Sequence, residues 1–241
     1  MHLTAPRRPA DGLLEHDLSL DGVPGLFWTA GDAAPAPLVL LGHPGGLDRM
    51  YPRLLGRARS AVAAGFTAAT IELPGSGDRP RSDDLEAART DLRPAIAAGR
   101  PVDAIAERLV LPLVERAVPE WRAALGALLE RPDVTGPAGF TGGPTAIGLR
   151  LARVEPRLGA VVLFAGSVVP RVMDDEARRV TVPVHVMLQW DDAGNDRWRA
   201  LEMFDALGSA EKSLHANLGG HAGIPAHEGE AVARFLERHL R

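Results

Sequence analysis

The chain has 241 residues, 46% of them hydrophobic, which fits one large domain, 1–241, with a continuous buried core. Its formal net charge of −4 argues against a nucleic-acid or anionic-membrane partner, since both select basic surfaces. The absence of cysteine excludes disulfides, thiolate nucleophiles and cysteine-ligated metals, so any nucleophile is an oxygen or a nitrogen.

The amino-terminal segment reaches the acidic residues Asp11 and Glu15 before any apolar run long enough for a signal peptide. No stretch approaches the roughly 18 uninterrupted apolar residues that a membrane span needs. We therefore expect a cytoplasmic protein with a small-molecule substrate and no membrane partner. The sequence leaves a homodimer open.

The first predicted element is an antiparallel hairpin. Segments 13–20 and 23–30 flank the pair Asp21-Gly22, which tolerates the positive φ that such a turn requires.

Short apolar runs and helical patterns then alternate along the chain. Strands are predicted at 37–42, 66–73, a stretch ending at 136–140, 159–166, 182–190 and 211–217. Helices are predicted at 50–64, 83–98, 102–130, 143–154, 196–207 and 228–240. This alternation indicates the α/β class, with a mostly parallel, doubly wound sheet covered by helices on both faces. Ligands are then expected at the carboxyl ends of the strands.

Residues 75–130 interrupt the regular alternation with two or more helices before the next strand. An insertion at this place is expected to form a lid over the site. Additional helical packing without a gating role is the alternative.

The segment 139–143 reads Gly-Phe-Thr-Gly-Gly, after a predicted strand and before a predicted helix. This is the context of the G-x-S-x-G nucleophile elbow, with Thr141 in the place of serine. Small residues on either side let strand and helix approach closely around a strained central residue.

The other two members of a triad follow in the order nucleophile, acid, histidine. Asp191 and Asp192 come after the strand at 182–190, and Asp192 is favoured as the acid because the preceding residue is better placed to complete the turn. His221, flanked by glycine on a loop before the last helix, is the expected general base.

A glycine-rich loop at 41–46 follows the strand at 37–42. In this fold such a loop supplies one backbone N–H of an oxyanion hole, and the residue after the nucleophile supplies the other. Since Pro44 has no N–H, the predicted donors are Gly45 or Gly46, together with Gly142.

Together these motifs resemble the α/β-hydrolase superfamily, in particular small bacterial enzymes of the dienelactone-hydrolase and esterase branches. The resemblance extends over essentially the whole chain. It implies a cofactor-independent hydrolase of small carboxylic esters or lactones, in which Thr141 attacks, His221 moves the proton and Asp192 orients the imidazole.

Threonine at the elbow departs from the family pattern. Elbow residues usually have positive φ, where a β-branched side chain is strained. Thr141 is therefore a slow nucleophile, a hydroxyl that positions substrate for lyase, isomerase or cyclase chemistry, or the mark of an impaired or altered site in a binding relative. The presence of Asp192, His221 and the glycine loop favours a slow nucleophile.

Several other candidates receive a structural interpretation. His43 is expected to order its loop through backbone hydrogen bonds, Ser76 to be a loop residue, and Arg79 and Arg81 to be solvated. His215, His221 and His227 are six positions apart, which fits no compact metal-ligand pattern, so no metal site is expected. No phosphate-binding glycine motif occurs in the required context, and no nucleotide cofactor is expected.

Overall fold

A computed structural model describes residues 1–10, 12–31 and 34–241, with the exception of the side chain of Arg93. Asp11, used above for the amino-terminal segment, lies outside the described residues. The strands are β1 (His2–Leu3), β2 (Arg7–Ala10), β3 (Leu13–Leu20), β4 (Val23–Thr29), β5 (Ala36–Gly42), β6 (Thr67–Ile71), β7 (Val134–Gly142), β8 (Leu158–Phe164), β9 (Val184–Gln189) and β10 (Lys212–Asn217). The α-helices are α1 (Leu47–Ala63), α2 (Asp83–Ala97), α3 (Asp103–Leu129), α4 (Thr145–Val154), α5 (Asp174–Ala177), α6 (Arg197–Ala206) and α7 (Ala226–Leu240).

The predicted hairpin is confirmed. Strands β3 and β4 pair antiparallel with Leu20 opposite Val23, and the turn between them places Asp21 at φ 51° and Gly22 at φ 80°. Asp21 is the one non-glycine residue with positive φ in the described part of the chain.

All ten strands form one mixed sheet in the order β1-β3-β4-β6-β5-β7-β8-β9-β10, with β2 also paired to β3. The run from β6 to β10 is parallel, whereas the amino-terminal strands and the β4–β6 pair are antiparallel. The central strands are buried along almost their whole length, as expected for strands covered on both faces. The predicted α/β class is therefore confirmed.

Each face of the sheet packs against its own helices. On one face, Trp121 of α3 and Ile147 of α4 belong to the core cluster that contains Phe140. On the other face, Leu54 of α1 and Leu236 of α7 pack in the cluster that contains Val162. Because the strands from β6 to β10 are parallel, their carboxyl ends lie at one common edge of the sheet.

The insertion between β6 and β7 consists of α2 and α3, which pack on each other. Two short amino-terminal strands, β1 and β2, were not predicted, because their few residues show no alternation of apolar and polar side chains. Within the described ranges, no helix combines the length and the apolar character that crossing a membrane takes.

Candidate active site

An acid–imidazole pair stands at the carboxyl ends of the neighbouring parallel strands β9 and β10. Asp192 follows β9 and His221 follows β10, and Nδ1 of the imidazole lies 2.7 Å from Oδ2 of the carboxylate. The Asp192 side chain is 3% exposed, whereas that of His221 is 55% exposed. A buried carboxylate at this distance holds the proton on Nδ1 and leaves Nε2 free as a proton acceptor.

Asp191 has a different task from its neighbour. Its carboxylate accepts the backbone N–H groups of Gly219 and Gly220, with the shortest distance 2.8 Å, and these bonds lower its pKa. Gln189 donates to the carbonyl of Gly220 from the end of β9. The loop that carries His221 is thus anchored from the strand that precedes Asp192.

The predicted elbow has a different local geometry from the one expected. Thr141 is the penultimate residue of β7 and pairs with Leu41 and Val162, and its φ is not positive. The positive φ, 101°, belongs to Gly142 instead. The expectation of strain at Thr141 is therefore wrong, and the physical reason is that glycine adopts this conformation without the penalty of a β-branched residue.

Arg57 of α1 holds the end of β7. Its Nη2 donates to the hydroxyl of Thr141 at 2.5 Å and to the carbonyl of Thr141 at 2.7 Å, while Nη1 donates to the carbonyl of Gly42 at 2.7 Å. Burial lowers the pKa of Arg57 to about 10, so the guanidinium stays charged at neutral pH. A cation therefore faces the threonine oxygen.

Gly142 makes room for this guanidinium. A Cβ at that position would lie 2.7 Å from Nη2 of Arg57 and 2.6 Å from the carbonyl oxygen of Gly42. Arg57 was not predicted from the sequence, since it is 84 positions from Thr141. Arg57 lies beside Leu54 and Ala58 on the apolar stripe of α1, where an unpaired charge would destabilise the fold. Its position on that stripe was the signal that it has a buried partner.

The structure therefore brings Asp192 and His221 together but does not join Thr141 to them. Within the described residues, no hydrogen bond connects the Thr141 hydroxyl with His221. The hydroxyl oxygen accepts a hydrogen bond from Arg57, and an alcohol that accepts can also donate. The hydrogen of the Thr141 hydroxyl therefore remains available for a second partner.

The glycine loop after β5 is held by hydrogen bonds at both of its ends. Buried His43 is 2.9 Å from the carbonyl of Ile71 through Nε2, as expected for a loop-ordering residue. The carboxylate of Glu72 accepts the N–H of Leu47 at 2.9 Å. Gly45 and Gly46 lie between these two anchors, and in the described part of the chain their N–H groups have no hydrogen-bond partner.

A cavity of about 480 Å³ lies at the carboxyl edge of the sheet. Its walls come from the α2–α3 connection, the loop after β8 and the loop after Asp192; they include Ile96, Val102, Thr145, Ser167, Asn195 and Met203. The hydroxyls of Thr145 and Ser167 are 2.8 Å apart. The insertion thus contributes directly to a pocket beside the acid–imidazole pair, although neither Thr141 nor His221 lines it.

Arg79 forms a mostly buried ion pair, contrary to the prediction from the sequence. Arg79 is not solvated: its guanidinium pairs with the carboxylate of Glu120 at 2.8 and 2.5 Å and also donates to the carbonyl of Glu72. Both charged side chains are mostly buried, at 17% and 23% exposure. The pair ties the segment after β6 to α3. Arg81 is exposed, as expected.

No protein-family model and no curated protein sequence matches the chain. Among solved structures, a polyethylene-glycol-bound cold-adapted esterase from an Arctic intertidal metagenomic library matches over 100% of both chains, with a TM-score of 0.76 and 26% identity. The chain has the α/β-hydrolase fold.

More distant α/β-hydrolase structures share the fold. The acetyl xylan esterase from Paenibacillus sp. R4 matches 99% of this chain and 88% of its own, with a TM-score of 0.68 and 16% identity. A predicted CIB-like hydrolase from Thermoplasma acidophilum matches 94% of this chain and 98% of its own, with a TM-score of 0.62 and 11% identity. At these identities the likeness concerns the fold alone.

Proposed function

We propose that this α/β-hydrolase cleaves small carboxylic esters or lactones without a cofactor, through Thr141, His221 and Asp192. The observation that carries the proposal is the 2.7 Å contact between a buried carboxylate and an exposed imidazole at the carboxyl edge of the sheet. The full-length likeness to a cold-adapted esterase supports ester hydrolysis as the reaction.

In the first half of the proposed reaction, the Thr141 oxygen attacks the ester carbonyl while Nε2 of His221 takes the hydroxyl proton. Backbone N–H groups of Gly45 or Gly46 and of Gly142 stabilise the oxyanion that forms. The intermediate collapses to an acyl-threonine, and the alcohol leaves with the proton from His221. Water then attacks the acyl group with His221 as base, which releases the carboxylic acid and restores the hydroxyl.

Arg57 has a defined part in this scheme. Its charge stands 2.5 Å from the Thr141 oxygen and favours the deprotonated form of the hydroxyl. The reaction requires Nε2 of His221 to come within about 3 Å of that oxygen. The large exposure of the His221 ring leaves it free to make this approach.

The proposal is tested with a fluorophosphonate label and a panel of short-chain p-nitrophenyl esters. We expect covalent label on the Thr141 peptide of the wild-type protein, detected by mass spectrometry, and none in Thr141→Ala or His221→Ala. Thr141→Ser removes the methyl that crowds the attack and should raise the rate of ester hydrolysis by about tenfold or more. Unchanged hydrolysis in Thr141→Ala would refute a nucleophilic role for this residue.

A second candidate is a non-hydrolytic enzyme or a binding relative on the same fold. The observation that favours it is the Thr141 hydroxyl held by Arg57 without a bond to His221. In that case both wild-type protein and Thr141→Ser would leave the ester panel intact and the label unreacted. The same experiment therefore separates the two candidates.

A further inference from the structure

Two histidines and a glutamate converge on the face of the sheet that α7 covers. His185 comes from β9, His215 from β10 and Glu228 from the first turn of α7. Nδ1 of His215 is 3.1 Å from both carboxylate oxygens of Glu228, and Nε2 of His185 is 3.8 Å from one of them. One donor atom of each residue lies within 4.8 Å of the other two.

His185 points an unused nitrogen into this cluster. The residue is 2% exposed, and its buried Nε2 has no hydrogen-bond partner among the residues that the structure describes. Its other nitrogen, Nδ1, is 2.8 Å from the hydroxyl of Ser213, which faces it across the β9–β10 pair. When Nδ1–H donates to that hydroxyl, Nε2 carries a lone pair, and a hydrogen bond of this type orients metal-binding histidines.

We propose that His185, His215 and Glu228 bind a divalent transition-metal ion, with Zn²⁺ as the best match. Zn²⁺ bonds of about 2.0–2.2 Å to nitrogen and oxygen place the ligand atoms of a tetrahedral site about 3.3 Å apart. The distances of 3.1 and 3.8 Å from the two imidazoles to Glu228 bracket that spacing, and all three ligand atoms lie within 4.8 Å of one another. A 3.8 Å gap is too long for a hydrogen bond but is closed by an ion between the two atoms.

The donor set and its surroundings fit this ion. Two imidazoles and one carboxylate are ligands that Zn²⁺ takes in proteins, with water in the fourth position. The His215 side chain is 45% exposed, so solvent reaches the site from the β10 side, whereas the side chains of Glu228 and His185 are each 3% exposed. The absence of a sequence pattern is explained by the origin of the ligands, which come from three separate elements.

The ion would tie the end of β10 to the start of α7. The segment between His215 and Glu228 contains the loop that carries His221. Binding would hold both ends of that loop while leaving the contact between Asp192 and His221 intact. The bound ion would therefore stabilise this loop beside the site, and its binding does not depend on the reaction proposed above.

The test uses the full-length protein stripped of metal with a chelator and then titrated with Zn²⁺ in a calorimeter. We expect one ion per chain, and a rise in Tm on saturation. His215→Ala, a change on an exposed edge strand, and Glu228→Gln should each weaken binding by at least about a hundredfold.

Two controls separate this site from other histidines. His2→Ala removes an exposed imidazole on β1, and His221→Ala removes the one beside Asp192; both should bind Zn²⁺ as the wild type does. Titration with Co²⁺ should give the visible absorption of a four-coordinate ion in the wild type and not in His215→Ala. Failure of the wild type to bind Zn²⁺ saturably, or wild-type affinity in His215→Ala, would overturn the inference.

Discussion

Adjacent aspartates at the end of β9 divide two tasks between them. Asp192 is buried and contacts the ring of His221, whereas Asp191 is exposed and accepts two backbone N–H groups of the loop that carries that ring. The first controls which nitrogen of the imidazole holds the proton, and the second controls where the imidazole stands.

This division predicts unequal effects of two matched substitutions. Asp192→Asn leaves the shape of the side chain unchanged but favours the wrong tautomer of His221, and kcat for ester hydrolysis should fall about 10³- to 10⁴-fold with little change in KM. Asp191→Asn retains one acceptor for the loop and should lower kcat by about tenfold or less. Equal losses in steady-state kinetics would contradict the division.

The contact between Asp192 and His221 could be predicted from the sequence because each residue follows a recognisable strand in a fixed order. The sequence could not identify Arg57, since the contact with Thr141 joins α1 to β7 across 84 positions. Nor could it show which residue takes the positive φ at the elbow. That depends on how Gly142 packs against Arg57 and the carbonyl of Gly42.

Two glycines in different elements should respond to the same substitution with opposite signs. Gly142→Ala puts a Cβ at φ 101° and within 2.7 Å of Arg57, which should destabilise the protein by about 1–3 kcal/mol. Gly56→Ala, at an exposed position of α1 where a Cβ meets nothing within 4 Å, should stabilise it by about 0.5–1 kcal/mol.

Urea denaturation of both variants measures the difference. If Gly142→Ala were as stable as the wild type, the end of β7 would not be packed as described.

Between α4 and β8, Glu155 forms a buried ionic contact. It accepts two side-chain bonds from Arg157 at 2.7 Å and one from Arg122 of α3 at 3.1 Å. These bonds, with those from Arg157 the largest contribution, lower the pKa of Glu155 to about 2. The contact connects α3 to the end of α4 at a point where both helices cover the sheet.

The lowered pKa predicts a specific pH dependence of stability. A carboxylate whose pKa is lower in the folded state stabilises the fold above its unfolded pKa of about 4.5, and this contribution is lost as the pH falls from about 5 towards 2. The arginines are half-exposed, so we expect about 1–2 kcal/mol from this residue. Glu155→Gln should flatten the decline of the unfolding free energy over this range, measured by urea titration. A slope identical to that of the wild type would argue against the contact.

Most elements of the sheet were predictable because parallel strands buried on both faces are continuous apolar runs, and the helices between them repeat every three to four residues. The strand predicted at 66–73 ends at Ile71, since Glu72 turns its carboxylate towards the glycine loop.

We expect the cavity between the insertion and the sheet to limit the size of the substrate. At about 480 Å³ it suits a small ligand, and the half-buried Ile96 of α2 closes part of it. We expect kcat/KM for p-nitrophenyl acetate or butyrate to exceed that for the palmitate by at least about tenfold. Ile96→Ala should shift the preference towards longer acyl chains without changing the rate on acetate. No preference among chain lengths would place the acyl group elsewhere.

Strands β6 and β7, from which the insertion departs and to which it returns, lie on opposite sides of β5 and are each hydrogen-bonded to it. The register of the sheet at this point is consequently set by β5 and not by the polypeptide that joins its two neighbours. The connection from α2 to α3 can therefore vary in length and sequence while Asp192 and His221 keep their places on the far strands, whereas α3 must stay because its Trp121 belongs to the core of the sheet. Diversification of what the enzyme accepts could then proceed in one stretch of the gene, separately from the chemistry.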